Sequence, residues 1–372
     1  MQAVVIPNVS ADKKVILKID QLCRDYGKLR VVDRLSFEVF NGEFFSLLGP
    51  SGCGKSTTLR LIAGLEEPDG GEICLKGEVV ASSRDRRFVP AERRNIGLVF
   101  QSYAVWPHMT VKQNVSYPLE LRRWNRDKIH TRIEQVLEAV GLSGFADRRP
   151  TELSGGQQQR LALARCLAYE PDLLLLDEPL SNVDARLREQ LRLELKRIQQ
   201  SIGVTILYVT HDQSEAMALS HRIAVMHAGK IEQIGTPEEV YTRPATFFVQ
   251  NFVGRLITFQ GRLHKKGAQQ VVELADRTEL PTDLKPETAG DKDVCIAVRP
   301  ENIEIIAAGG AANSANIEGK VRDLAYVGGY YECAIEAAGA EFVLAVPCSF
   351  TARKGETLTL HLKDTTVWPL EN

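Results

Sequence analysis

At 372 residues, 44% apolar and 25% charged, the chain has the make-up of a globular protein with room for two domains, or three. A formal net charge of −2 leaves no basic surplus for nucleic acid, and no apolar run reaches the roughly 18–20 residues of a membrane span. The stretch AVVIPNV near the start is too short for a signal peptide and has no basic segment before it, so a cytosolic location is expected. Cys23, Cys53, Cys74, Cys166, Cys295, Cys333 and Cys348 show neither C-x-x-C nor zinc-finger spacing. All but Cys53 read as small buried hydrophobes.

Residues 15–50 read as strands separated by turns, the last of them the apolar GEFFSLLG, which runs into a glycine-rich loop. KSTTLRLIAG continues as a helix that stops at Gly64, with Pro68 beyond. From Gln101 to about Ala168 the pattern is helical, with Ile129, Ile133, Val136, Leu137 and Val140 on one face. Within it, Ser154 and Gln157 have the spacing of a capping box at a helix start made bare by Gly155 and Gly156. Leu173–Leu176 form a continuous apolar strand, as in a parallel sheet covered on both faces. Leu187, Leu191, Leu195, Ile198 and Ile202 then make a helical stripe ending at Gly203. VTILYVT is a second buried strand, followed by a hairpin turning near Ala228–Gly229 and a short helix capped by Thr236, with Pro237 first and Glu239 closing its box. Residues 242–255 read as a linker. From about Thr258 short β-like runs between turn residues predict a small β-barrel.

Gly49-Pro50-Ser51-Gly52-Cys53-Gly54-Lys55-Ser56, followed by Thr57, fits G-x-x-x-x-G-K-[ST] between a strand and a helix. The glycines let backbone amides approach phosphate oxygens, Lys55 reaches the outer phosphates, and the Ser56 hydroxyl suits Mg²⁺. Asp177 and Glu178 end the leucine strand, where ligands of α/β sheets bind. Neighbouring strand residues point to opposite sides, so Asp177 is assigned to the metal ion and Glu178 to an attacking water. His211 ends the second buried strand and reaches the same crevice, there to bond a terminal phosphate; taken alone it reads as a packed core histidine. Gln101 sits where a strand gives way to a loop, its amide suited to Mg²⁺ and to the water; taken alone it is a polar loop residue. Tyr26 suits stacking on adenine, and spacing alone fits a core-edge tyrosine equally well. Cys53, beside a helix start and near Lys55, is expected to favour the thiolate and to be protected from alkylation by ATP.

Together these motifs resemble one family, the ATP-binding subunits of ABC transporters. LSGGQQQR at Leu153–Arg160 resembles its signature motif, LLLLDEP its second Walker motif, SNVD at Ser181–Asp184 its aspartate loop, and THDQSEA at Thr210–Ala216 its histidine switch. The resemblance implies an α/β P-loop NTPase core at residues 14–244 with a helical subdomain at about 102–168, then an all-β OB-like (TOBE) domain at 245–372. It implies ATP and Mg²⁺ (through Ser56, Gln101 and Asp177) and hydrolysis by Glu178, His211, Gln101 and Lys55. It also implies a head-to-tail homodimer in which Ser154, Gly155, Gly156, Gln157 and Asp184 face the partner subunit's ATP. Membrane permease subunits are expected to dock near Ser102–Val111, through an exposed Trp106–Pro107 patch, and to bring a solute-binding protein; Trp106 also fits a core residue. The subunit is then peripheral on the inner face of the membrane, with no nucleic-acid partner. The phrase SYAVWPHMTV resembles ATPases of ferric-ion, polyamine or phosphonate importers, with sugar or glycerol-phosphate import, or a soluble non-transport ATPase, as the alternatives.

Overall fold

An unbroken apolar strand is stable only when both of its faces are covered. The computed structural model, which describes residues 14–181, 183–266, 269–282, 292–306 and 315–370, builds one six-stranded sheet around such strands. The stretch AVVIPNV and position 182 of the SNVD motif lie outside the described residues.

Contacts divide the chain into two compact units, Met1–Val249 and Gln250–Asn372. In the first, β1 (Val15–Tyr26) and β2 (Leu29–Phe40) form a long antiparallel pair. Next come β3 (Phe44–Leu48), α1 (Lys55–Ala63), β4 (Gly70–Leu75), β5 (Glu78–Ser82), β6 (Arg87–Phe88) and β7 (Ile96–Val99). Three helices follow, α2 (Val111–Leu121), α3 (Arg126–Ala139) and α4 (Gly155–Ala168). The unit continues through β8 (Leu173–Asp177), α5 (Ala185–Ile202), β9 (Ile206–Thr210), α6 (Gln213–Leu219), β10 (Arg222–His227), β11 (Lys230–Gly235) and α7 (Pro237–Thr242). Short α8 (Phe247–Phe252) lies in the stretch expected to be a linker, so that stretch is partly helical.

Among the described residues, the central sheet has the order β11-β10-β3-β9-β8-β7, parallel throughout except at β11. Side chains along its strands alternate between two cores. Leu173, Leu175, Leu207 and Val209 face one core together with Leu59, Leu61 and Ile62 of α1 and the inner side chains of β1 and β2. Leu174, Leu176, Ile206 and Tyr208 face the other, together with Leu161–Ala164 and Leu167 of α4, Leu195 and Ile198 of α5, and residues of α2 and α3. α1 and α4 therefore cover opposite faces of one sheet. Each large aliphatic side chain so buried contributes about 1.5–3 kcal/mol. β2, β1, β4, β5 and β6 make a second, antiparallel sheet against the α1 side. Ile202, in the last turn of α5, is exposed rather than part of the buried stripe, because the helix stops at Gly203 just beyond it.

The second unit holds β12 (Ile257–Lys266), β13 (Gln269–Leu274), β14 (Glu279–Thr282), β15 (Lys292–Val298) and β16 (Ile303–Ile306). It continues with β17 (Asn316–Tyr326), β18 (Tyr330–Ala337), β19 (Ala340–Pro347), β20 (Thr357–Leu362) and β21 (Thr366–Pro369). Among the described residues, the expected all-β unit takes the form of two five-stranded antiparallel sheets, β14-β13-β12-β15-β21 and β16-β20-β17-β18-β19. Phe259, Val272 and Ile296 from one sheet and Ile335, Leu344 and Leu360 from the other share a single core.

Candidate nucleotide site

β3 and α1 are joined by the loop Gly49–Gly54. A side chain at position 49 would place its Cβ 2.4 Å from the Met226 carbonyl oxygen and 2.7 Å from Cys53 Sγ, so only glycine lets the loop lie this close to β10. Gly54 has φ +102°, a left-handed conformation, and precedes a helix start with no side-chain cap. Uncapped amides at the positive end of the α1 dipole suit an anion. Lys55 is 4% exposed, and its ammonium donates to the carbonyls of Gly49 (2.8 Å) and Pro50 (2.9 Å). The lysine is thus held over the loop by bonds that a phosphate oxygen can replace.

The expected preference of Cys53 for the thiolate is overturned. The residue is 3% exposed, and burial pushes its thiol above the ordinary value despite the opposing pull of Lys55. A protonated, enclosed sulfur is a packing group rather than a nucleophile.

At the carboxyl ends of β8 and β9 the adjacent acids diverge. Asp177 accepts a bond from the Ser56 hydroxyl (2.9 Å). Its carboxyl is raised above the ordinary value, chiefly by burial, with Glu178 adding repulsion and the Ser56 bond opposing. Glu178 follows in a left-handed conformation (φ 45°), its N–H bonded to the Val209 carbonyl (3.0 Å) and its Oε2 lying 3.0 Å from His211 Nδ1. Gln101, just past β7, donates its amide to Ser181 Oγ (3.1 Å), and that hydroxyl donates to the Glu178 carbonyl (2.9 Å). Ser56 is thus bonded to Asp177 and His211 to Glu178, while Gln101 reaches the Glu178 carbonyl through Ser181. The oxygens of Ser56 and Asp177 are hard donors, too few to enclose an ion, as suits a cation that keeps waters and phosphate as further ligands. Among the described residues, no cluster of three or more His, Cys, Asp or Glu side chains is gathered to hold a metal.

Tyr26 lies at the end of β1, 43% exposed. Its hydroxyl donates to Glu66, and the Arg24 guanidinium lies 5.0 Å from the ring centroid. The rest of the predicted set is elsewhere. Ser154 caps α4, its Oγ accepting from the Gln157 N–H while the Gln157 side chain accepts from the Ser154 N–H. Ser154 and Gly155 are exposed, and Gly156 is buried against Leu191 and Leu187. Asp184 is engaged locally, accepting from the Leu187 N–H (3.0 Å) as the cap of α5. Trp106 is half-buried, edge-on to Tyr117 and 4.5 Å from the Arg165 guanidinium, whereas Pro107 is exposed.

Two supporting groups escape a reading of the sequence. Glu215 is 3% exposed and accepts from Tyr208 (2.8 Å) and Thr210 (2.7 Å), fixing the strand end that carries His211. Arg94 is buried, with its guanidinium donating to the carbonyls of Leu61, Ile62, Val80 and Val89, so it closes the carboxyl end of α1. Asp212, whose spacing to Ser214 and Glu215 marks a helix cap, was the available signal for the first; nothing local marks the second.

A profile of ABC transporters matches residues 32–181, and one of the TOBE domain matches residues 296–369. The spermidine/putrescine import ATP-binding protein PotA of Thermobifida fusca (strain YX) is 47% identical over 302 residues, 80% of this chain and 76% of the relative. This chain belongs to the ATP-binding subunits of ABC importers. It is an ATPase of that family. The trehalose/maltose import ATP-binding protein MalK of Thermococcus litoralis (strain ATCC 51850 / DSM 5473 / JCM 8560 / NS-C) is 52% identical over 229 residues, 62% of each chain. Among solved structures, cbiO1 from Clostridium perfringens, part of the ABC transporter complex cbiONQ, superposes with a TM-score of 0.57 at 28% identity, covering 63% of this chain and 93% of that one. No helix among the described residues is long and apolar enough to cross a membrane.

Proposed function

We propose that the protein works as a head-to-tail homodimer on the inner face of the cell membrane, with two Mg-ATP held at the seam. Residues 14–244 form the ATPase domain, with its helical subdomain at about 102–168, and residues 245–372 the TOBE domain. The observation that carries this reading is the placement of two anion-seeking helix starts. α1 and α4 pack on opposite faces of the central sheet, and the start of α4 is exposed. Helix starts on opposite faces of one sheet suit two different phosphate chains. A second copy supplies the second: Gly49–Thr57 grips the triphosphate of its own ATP, Tyr26 stacks on the base, and Ser154, Gly155, Gly156, Gln157 and Asp184 of the partner close over the γ-phosphate.

Ser56 and Asp177, with the Gln101 amide, would hold Mg²⁺, which would supply positive charge to the phosphates when bound. Glu178 orients and polarises the water that attacks the γ-phosphorus as the bond to the bridging oxygen breaks, giving ADP and phosphate. His211 fixes the Glu178 carboxylate and bonds the γ-phosphate, and Lys55 takes up charge on the β- and γ-oxygens. Loss of the γ-phosphate removes the bridge and the dimer opens. Permease subunits docked near Ser102–Val111 receive that motion, and a solute-binding protein delivers cargo to them. No nucleic acid takes part.

The cargo reading is a polyamine. The spermidine/putrescine relative matches 80% of this chain, into the TOBE region, whereas the trehalose/maltose relative matches 62%. The test is reconstitution with the permease and solute-binding proteins that co-purify. Spermidine or putrescine should stimulate ATP hydrolysis; stimulation by trehalose or maltose alone would establish the sugar reading instead.

A further inference from the structure

Gln101 is followed by two non-glycine residues in the left-handed conformation, Tyr103 (φ 58°) and Ala104 (φ 46°). L-residues adopt this backbone reluctantly, so something must hold it. The Tyr103 ring is anchored in the core around α4. The two backbone carbonyls are held by one side chain. Arg165, in the last turn of α4, donates Nη1 to the Ala104 carbonyl (2.7 Å) and Nη2 to the Tyr103 carbonyl (3.3 Å), while its guanidinium lies over Trp106. A planar fork meets the two adjacent carbonyls and the ring in one fixed geometry, whereas a lysine ammonium is a compact charge on a flexible stem that sets no such plane.

The same loop leads directly to the acid at the strand end. Gln101 reaches Ser181 Oγ, and Ser181 reaches the Glu178 carbonyl. From the signature helix to Glu178 there is thus a short path: the Arg165 fork, the strained turn, the Gln101 amide and Ser181.

We propose that Arg165 is a positioning residue for ATP hydrolysis: it holds the strained turn after Gln101 in register and ties that turn to the helix that begins at Ser154. When α4 moves with the nucleotide at its start, Gln101 moves with it relative to Glu178. This inference rests on the hydrolytic roles given above to Gln101 and Glu178.

The experiment uses the full chain, measuring kcat, KM, equilibrium ATP binding and thermal stability for Arg165→Gln, Arg165→Lys, Ala104→Gly, the double variant Arg165→Gln/Ala104→Gly, and Gln101→Ala. Arg165→Gln and Arg165→Lys should lower kcat about tenfold or more while ATP affinity stays within about threefold of the parent. Glycine adopts the left-handed conformation without strain, so Ala104→Gly should restore most of the kcat lost by Arg165→Gln. An unchanged kcat in Arg165→Gln, or a loss that tracks stability and that Ala104→Gly does not recover, overturns the positioning role while a defective Gln101→Ala leaves the site reading standing. An unchanged kcat in Gln101→Ala overturns the site reading itself and this inference with it.

Discussion

Replacing Asp177 by Asn should make the nucleotide-free protein more stable and the nucleotide-bound protein useless. The wild-type carboxylate is half-buried and lies next to Glu178, and both effects raise its pKa above the ordinary 3.8, against the Ser56 bond. Asn removes the charge and keeps an oxygen to accept the Ser56 hydroxyl. Relieving such a functional strain is worth about 1 kcal/mol, or about 2–4 °C in Tm for a unit of this size. The pH dependence has a definite sign. An acid whose folded pKa is raised penalises the fold once it is ionised. The penalty is fully present above the folded pKa and vanishes as pH falls from there to 3.8. The advantage of the variant should therefore be greatest at neutral pH and shrink on acidification. With Mg-ATP the order reverses, because a ligand at 100 times its Kd stabilises by about 2.7 kcal/mol and the variant lacks the carboxylate for the cation. Thermal unfolding with and without Mg-ATP, from about pH 3.5 to 8, reads both effects. A variant less stable than wild type without nucleotide, yet shifted as much by Mg-ATP, would refute the assignment.

Arg94→Met should cost about 3–5 kcal/mol by stranding buried carbonyls at the end of α1, as read by chemical denaturation; a loss below about 1 kcal/mol would show those bonds to be dispensable. Ser154→Arg should cut hydrolysis by about 100-fold or more while leaving ATP affinity nearly unchanged, as measured by turnover and equilibrium binding. If its affinity fell as far as that of Lys55→Ala, the signature helix would belong to its own protomer's pocket. Under native conditions an alkylating reagent should label exposed Cys348 well ahead of enclosed Cys53, as mass spectrometry would resolve; comparable rates would mean that the phosphate loop opens readily.

Local chemistry explains which features could be read directly. The bare helix starts were legible because Gly54, Gly155 and Gly156 carry no side chain, and the buried strands because Leu173–Leu176 and Ile206–Thr210 lack polar interruption. Asp177 ends β8 bonded to Ser56, whereas Glu178 lies past the strand in a left-handed turn beside His211, so it is the turn and not strand alternation that parts the two acids. What depends on distant packing was not legible. Arg94 meets carbonyls more than thirty residues away, and Arg165 meets a turn sixty residues upstream. Cys53 shows local charge misleading in its turn: Lys55 favours the thiolate, but burial under β10 prevails. Asp184, which the family resemblance alone turns toward a partner's nucleotide, caps α5 in the single protomer.

The shared seam is tested most directly by the oligomeric state of Glu178→Gln, which should bind ATP but fail to cleave it. Sedimentation at micromolar protein should find a dimer with saturating Mg-ATP and a monomer with ADP. A species that stays monomeric with ATP fully bound would contradict the clamp between opposing helix starts.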